Sequence, residues 1–309
     1  MKCLKSKLAM ALALLCLADQ ARAVQNFVSL SAADFLRDQH IIEQSPVEGA
    51  QIIYKWTDLE AEEDGYDFSR VEQDLAYLSQ RNKKLIVQVQ DYFYEPQDDH
   101  VPQYLKESHQ RLRVGGHAGA QGQADVERQW NSQVRRKYQR LLAGLASKFD
   151  GQVYAVSLPQ TLLGVSGGAF APAVSCESYF SAAVDNMHFA KVAFQKTFVV
   201  QNVNFWPCEP AGNRLSRLFA LAERHSVGLE GGGIVLGRGG RVKKHFPYFH
   251  EYRGKLPLVV VTVHSLRTAP EDPLHHLFSE YADDYLGADV VLWDSDAHWL
   301  KPSREKALL

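Results

Sequence analysis

What the chain lacks narrows its chemistry first. Among 309 residues there are only four cysteines and three methionines, and no run of five or more basic side chains. Acidic and basic residues nearly balance, 36 against 34, which leaves no electrostatic footprint for a nucleic acid. No His-Glu-x-x-His and no cysteine pair at zinc spacing occur, so no metal centre is expected. His275-His276 stand in no metal motif, and His245 and His250 read as surface histidines. No Gly-rich nucleotide turn follows an early strand, and Gly237-Arg238-Gly239-Gly240 lacks the Lys-Ser/Thr of a phosphate loop. Gly164-Val165-Ser166-Gly167-Gly168 is offset from the spacing of a serine nucleophile elbow. No cofactor is expected. Beyond the first two dozen residues no apolar run approaches the ~20 residues of a membrane span.

What is present begins with an export signal. Lys2, Lys5 and Lys7 precede an apolar run from Leu8 to Ala18, followed by Ala21-Arg22-Ala23. Charged start, short apolar centre and small-x-small site together predict a signal peptide over residues 1–23, cleaved after Ala23. Leu14 and Leu15 before Cys16 are too large for a typical lipid-attachment site. Cleavage removes Lys2, Lys5, Lys7 and Arg22 against Asp19, which takes the net charge from −2 to −5. The expected location is periplasmic or secreted. Cys3 and Cys16 leave with the signal, so only Cys176 and Cys208 meet an oxidising compartment. They can form one disulfide or remain two buried thiols.

The remaining composition, 46% hydrophobic and 23% charged, excludes disorder and collagen-like sequence. Short β-rich runs alternate with segments of helical period, which predicts parallel strands joined by helical crossovers. Eight strands are expected: Phe27–Leu30, Gln51–Trp56, Leu85–Val89, Val153–Leu158, Phe198–Asn204, Ile234–Gly237, Leu258–His264 and Asp289–Asp294. Gly231-Gly232-Gly233 reads as a turn before the sixth strand. Ser69 with Glu72 predicts a capping box at a helix start. Trp130, Val134, Tyr138, Leu141, Leu145 and Phe149 form one helical face, and Tyr179, Phe180, Ala183, Val184, Met187 and Phe194 another. Eight strands and seven crossovers over residues 24–309 predict an α/β fold, a single (β/α)8 TIM barrel with long βα loops.

In such a barrel the working residues lie at the C-terminal strand ends. Those positions hold Trp56 with Glu60, Gln90-Asp91-Tyr92, Gln160, Asn204 with Trp206, Arg238, His264, and Trp293 to Asp296. Flat aromatic faces beside hydrogen-bonding groups suit a sugar ring, although each tryptophan equally fits ordinary barrel packing. The long segment from Asp91 to Asp125 suggests a cleft wall followed by an insert. Cys176 and Cys208 fall on the same face, near enough in topology for the ~6 Å Cα separation of a disulfide.

Trp56-Thr57-Asp58-Leu59-Glu60, Gly65-Tyr66-Asp67-Phe68-Ser69 and Lys84-Leu85-Ile86-Val87-Gln88-Val89 resemble the early barrel of β-galactosidase-like and cellulase-like glycoside hydrolases. Val101-Pro102 and Asn204-Phe205-Trp206-Pro207 extend the likeness more loosely. The resemblance implies a glutamate acid/base after strand four and a glutamate nucleophile after strand seven, ~5 Å apart in a retaining enzyme. Here those positions hold Gln160 and, around Val261-Thr262-Val263-His264-Ser265, no carboxylate.

Three functions fit these residues. A hydrolase would draw its carboxylates from Asp91, Asp294 or Glu60, with Asp296 and Glu209 also at strand ends. A non-catalytic carbohydrate-binding barrel would use Trp56, Tyr92, Gln160, Asn204, Trp206, His264, Trp293 and Asp296 as stacking and hydrogen-bonding groups. A structural or partner-binding module of an envelope assembly would need neither. Carbohydrate is the expected partner in the first two.

Overall fold

The computed structural model describes residues 24–44, 46–91, 100–108, 131–161, 176–203, 213–234, 245–263 and 274–300. The expected signal peptide, residues 1–23, lies outside them. Eight strands close a parallel barrel: β1 Gln25–Ser31, β2 Gly49–Lys55, β3 Lys84–Gln90, β4 Ala155–Leu158, β5 Phe198–Val203, β6 Gly228–Ile234, β7 Val259–Val263 and β8 Val290–Asp294. Each strand pairs with its sequence neighbours, and β1 pairs with β8 to complete the ring. The chain is a (β/α)8 barrel.

Between the strands run α1 Ala32–Ile42, α2 Trp56–Leu59, α3 Ser69–Ser79, α4 Gln103–Ser108, α5 Ser132–Phe149, α6 Cys176–Ala193, α7 Arg214–His225, α8 Phe246–Glu251 and α9 Leu274–Glu280. Most of the expected apolar faces are buried; Tyr179, Ala183 and Val184 are half-buried, and Trp130 lies outside the described residues. On α5, Val134, Tyr138, Leu141, Leu145 and Phe149 all face the core, as do Phe180 and Met187 of α6 and Phe194 beyond it. Each such side chain contributes roughly 1.5–3 kcal/mol by leaving water. The start of α3 differs from expectation. The Asp67 carboxylate, not the Ser69 hydroxyl, accepts a first-turn N–H, that of Ser69 at 2.9 Å. Glu72 instead pairs with Lys148 at 2.7 Å. Asp67 competes because its ionised oxygens are stronger acceptors than a hydroxyl.

Seven strands overlap most of their expected positions; the sixth shares only Ile234 with its expected range, whose residues 235–237 lie outside the described ones. It runs over Gly228–Ile234, so Gly231-Gly232-Gly233 lies inside a strand and not in a turn before one. Two of these glycines have steric reasons for being glycine. A Cβ on Gly231 would sit 2.5 Å from the Phe249 ring of α8, and Gly233 has φ +85°. The register with β7 shifts over this stretch, as a bulge requires.

The register also sorts the barrel interior into levels, because alternate strands of a tilted barrel share a layer. Following the pairings around the ring puts Phe27, Ile86, Val200 and Val260 in one layer. The next layer towards the strand ends holds Gln51, Ser157, Glu230 and Leu292, and the one above it Ser29, Gln88, Asn202 and Thr262. The lower interior is an apolar plug that includes Phe27, Ile86, Ala155, Val200, Val260 and Leu292. The upper interior is polar.

Candidate functional site at the upper barrel lumen

Glu230 is the centre of the polar interior. The alternation of β6 turns it inward, and its side chain is only 2% exposed. Three strands supply its partners. Gln51 Nε2 of β2 donates to Oε2 at 2.8 Å, Ser157 Oγ of β4 donates to the same oxygen at 2.8 Å, and Asn202 Nδ2 of β5 donates to Oε1 at 2.6 Å. Ser29 Oγ of β1 in turn donates to Gln51 Oε1 at 3.0 Å. Because β2 and β6 stand on opposite sides of the ring, the Gln51 contact crosses the lumen. Among the described residues no basic side chain pairs with Glu230.

Burial pushes the Glu230 carboxyl up to about 7 against the pull of these three donors. Near neutral pH it therefore exchanges between acid and carboxylate. Ser157 suits both forms, since a hydroxyl can donate to the anion or accept from the acid.

The layer above is less completely satisfied. Asn202 Oδ1 is buried and has no hydrogen-bond partner among the described residues. Gln88, 4% exposed, makes no hydrogen bond to a described residue. Gly232, the next inward position of β6 after Glu230, is buried, yet a Cβ built there meets no described atom within 4 Å. Among the described residues, amides, hydroxyls and a gap beside Gly232 thus meet around one buried carboxyl.

No protein-family model and no curated protein matches the sequence. Solved structures do match the fold. The chain aligns with a β-galactosidase from the psychrophilic Marinomonas ef1 at TM-score 0.57 and 10% identity, over 87% of this chain and 54% of that one. It aligns with xylanase 10B from Thermotoga petrophila RKU-1 at TM-score 0.55 and 9% identity, over 88% and 82%. Endo-glycoceramidase II from Rhodococcus sp. gives 0.58 and 14%, over 89% and 74%. The fold is a glycoside-hydrolase-like barrel. At these identities the likeness is one of architecture, and the chain spans about half the length of the β-galactosidase.

Within this glycoside-hydrolase-like barrel the residues singled out from sequence separate into three groups. The first is at the mouth. Asp294 ends β8 at an inward register position and is half-buried. Asp91, just past β3, is half-buried, and its charge reaches the Tyr138 hydroxyl, which burial first and Asp91 second hold well above its usual range. Gln160 is half-buried just past β4, and Asp296 is exposed.

The second group is structural. Trp56 is fully buried, edge-on to Tyr138 at 5.3 Å, and donates from Nε1 to Glu60 Oε2 at 2.8 Å. Trp293 points out of the barrel into the helical layer, packed on Phe278 and Trp299, with Nε1 on Asn26 Oδ1 at 2.9 Å. Neither offers a face to a sugar, which corrects the expectation for both. Glu60 is 1% exposed and fixes the segment after β2: besides Trp56 it accepts from Tyr104 Oη at 2.8 Å and the Asp64 N–H at 3.0 Å.

The third group, Tyr92, Asn204, Trp206, Glu209, Arg238 and His264, lies outside the described residues, as does Cys208 of the expected disulfide. Glu230 and its partners Gln51, Ser157 and Asn202 had escaped the sequence reading. The available signal was strand alternation through the glycines, which places an acid between Leu229 and Gly231 on the inward face.

Proposed function

We propose that this chain is an exported carbohydrate-binding barrel that receives its ligand at the C-terminal mouth without two-carboxylate hydrolysis. The carrying observation is the upper lumen: Asn202 Oδ1 is buried without a partner among the described residues beside the inward amide of Gln88, and a buried polar group left so costs ~1–3 kcal/mol. Sugar hydroxyls both donate and accept, and would satisfy such amides. The missing glutamates at the ends of β4 and β7 support binding over cleavage, because Gln160 neither donates a catalytic proton nor takes one back. Similar solved structures include a xylanase complexed with xylobiose, which supports carbohydrate as the ligand class. For export, the support is that β1 begins at Gln25, so cleavage after Ala23 leaves the barrel whole.

A hydrolytic reading is favoured by one observation, the Glu230 carboxyl poised near neutrality below the inward Asp294. The deciding experiment screens a glycan array and then follows reducing-sugar release from the glycans that bind. Binding without sustained release is the expected result. Release abolished by Asp294→Asn or Asp91→Asn would replace binding with hydrolysis, and absence of any glycan binding would leave the partner-binding module. N-terminal sequencing of the chain expressed with its first 23 residues is expected to begin at Val24.

A further inference from the structure

The carbohydrate reading leaves open which part of a sugar chain enters, and the lumen geometry answers that. The unpartnered Asn202 Oδ1 does not lie along the rim. Asn202 and Gln88 occupy an inner layer, below Gly232 and Asp294, and both side chains are at least nine-tenths buried. The interior of an eight-stranded barrel admits side chains or one small ligand, so a polysaccharide cannot lie across these groups. Only an end unit can descend to them.

Two details make this a built pocket. Gly232 is not among the residues with positive φ, and its missing side chain relieves no close contact with a described residue. Among the described residues neither backbone conformation nor packing demands glycine there; what its absence of side chain provides is a gap between described atoms beside β6. Asn202 is also fixed in polarity. Its Nδ2 is given to Glu230 Oε1 at 2.6 Å, so Oδ1 faces the remaining space as an acceptor and selects an O–H donor.

Resting on the carbohydrate-binding reading, we propose that the upper lumen between β3, β5 and β6 is an end-recognition pocket for a terminal sugar unit. Asn202 Oδ1 accepts a hydroxyl hydrogen, the Gln88 amide makes a second bond, and Gly232 leaves room for the ring. Glu230 is the positioning residue that holds the Asn202 amide in its acceptor orientation, itself held by Gln51 and Ser157.

The test uses titration calorimetry with neutral pentasaccharides built of glucose, xylose, galactose or N-acetylglucosamine. Each is offered intact, capped as a methyl glycoside at the reducing end, or 4-O-methylated at the non-reducing end. One cap, the same for every ligand bound, is expected to weaken binding at least tenfold while the other changes it less than twofold. Gly232→Leu and Asn202→Ala should each lower affinity for the intact ligand at least tenfold, with Gly232→Ala intermediate as a control for folding. Glu230→Gln, whose amide oxygen still accepts from Asn202, should keep the end preference, and Glu230→Leu should lose it. Equal binding of intact and both capped forms would overturn the pocket while leaving carbohydrate binding intact, as would a folded Gly232→Leu chain that binds like the parent. No binding of any glycan by the parent chain would overturn the underlying reading as well.

Discussion

Two buried glutamates, Glu60 and Glu230, are alike in exposure and each receives three hydrogen bonds, yet they do opposite work. The donors of Glu60 are mostly local: Trp56 four residues before it, the Asp64 N–H four after it, and Tyr104 from the next crossover. That carboxylate ties the turn α2, the antiparallel pair Glu60–Glu62 with Gly65–Tyr66, and α4 into one unit. The donors of Glu230 come from β2, β4 and β5 and meet across the lumen. A carboxylate fed by its own segment fixes that segment, whereas one fed across the barrel axis joins strands from opposite sides of the ring.

The largest expected break in this comparison is Glu60→Ala. It strands the buried Trp56 indole N–H and the Tyr104 hydroxyl, so urea unfolding should show a loss of about 3 to 4 kcal/mol. Glycan binding by the surviving folded chain should be unchanged. Glu230→Gln acts through pH instead. The folded carboxyl titrates at about 7 against an ordinary 4.5, so its contribution is full below pH 4.5 and is lost as pH rises through 7. At ~1.4 kcal/mol per unit this amounts to about 3 kcal/mol between those limits. The variant should remove that slope and exceed the parent in stability at pH 8, measured by denaturation at several pH values. Trp56→Phe keeps the ring contact with Tyr138 but deprives Glu60 of one donor, for a loss of about 2 kcal/mol. Trp293→Phe, which leaves Asn26 Oδ1 near the surface, should cost about 1 kcal/mol and leave glycan binding untouched.

The contrast also explains what could be read from the sequence. Strand and helix periodicity located seven strands and the apolar faces of α5 and α6, because burial on a barrel is a matter of period. The Trp56 to Ser69 motif pointed to a (β/α)8 barrel, which the chain has, but its tryptophan and glutamate hold that segment together. The sixth strand was misplaced because Gly is the usual turn residue, and at Gly231 and Gly233 the same lack of side chain instead admits Phe249 and a bulge. Moving that strand hid Glu230. Trp293 was misassigned for a simpler reason: on β8, Val290, Leu292 and Asp294 face inward, so the tryptophan between them faces the helices.

The pairing of β1 with β8 sets an order of events in folding. Val24 adjoins the expected cleavage site, and the bond from Trp293 Nε1 to Asn26 joins residues 267 apart. Contacts that distant form slowly, because the whole intervening loop must close first. A chain delivered N-terminus first therefore carries β1 with one edge unpaired until its last strand emerges, and an open edge invites pairing with another chain. Closure of the ring becomes the slow and vulnerable step, and the final segment through β8 decides when that vulnerability ends.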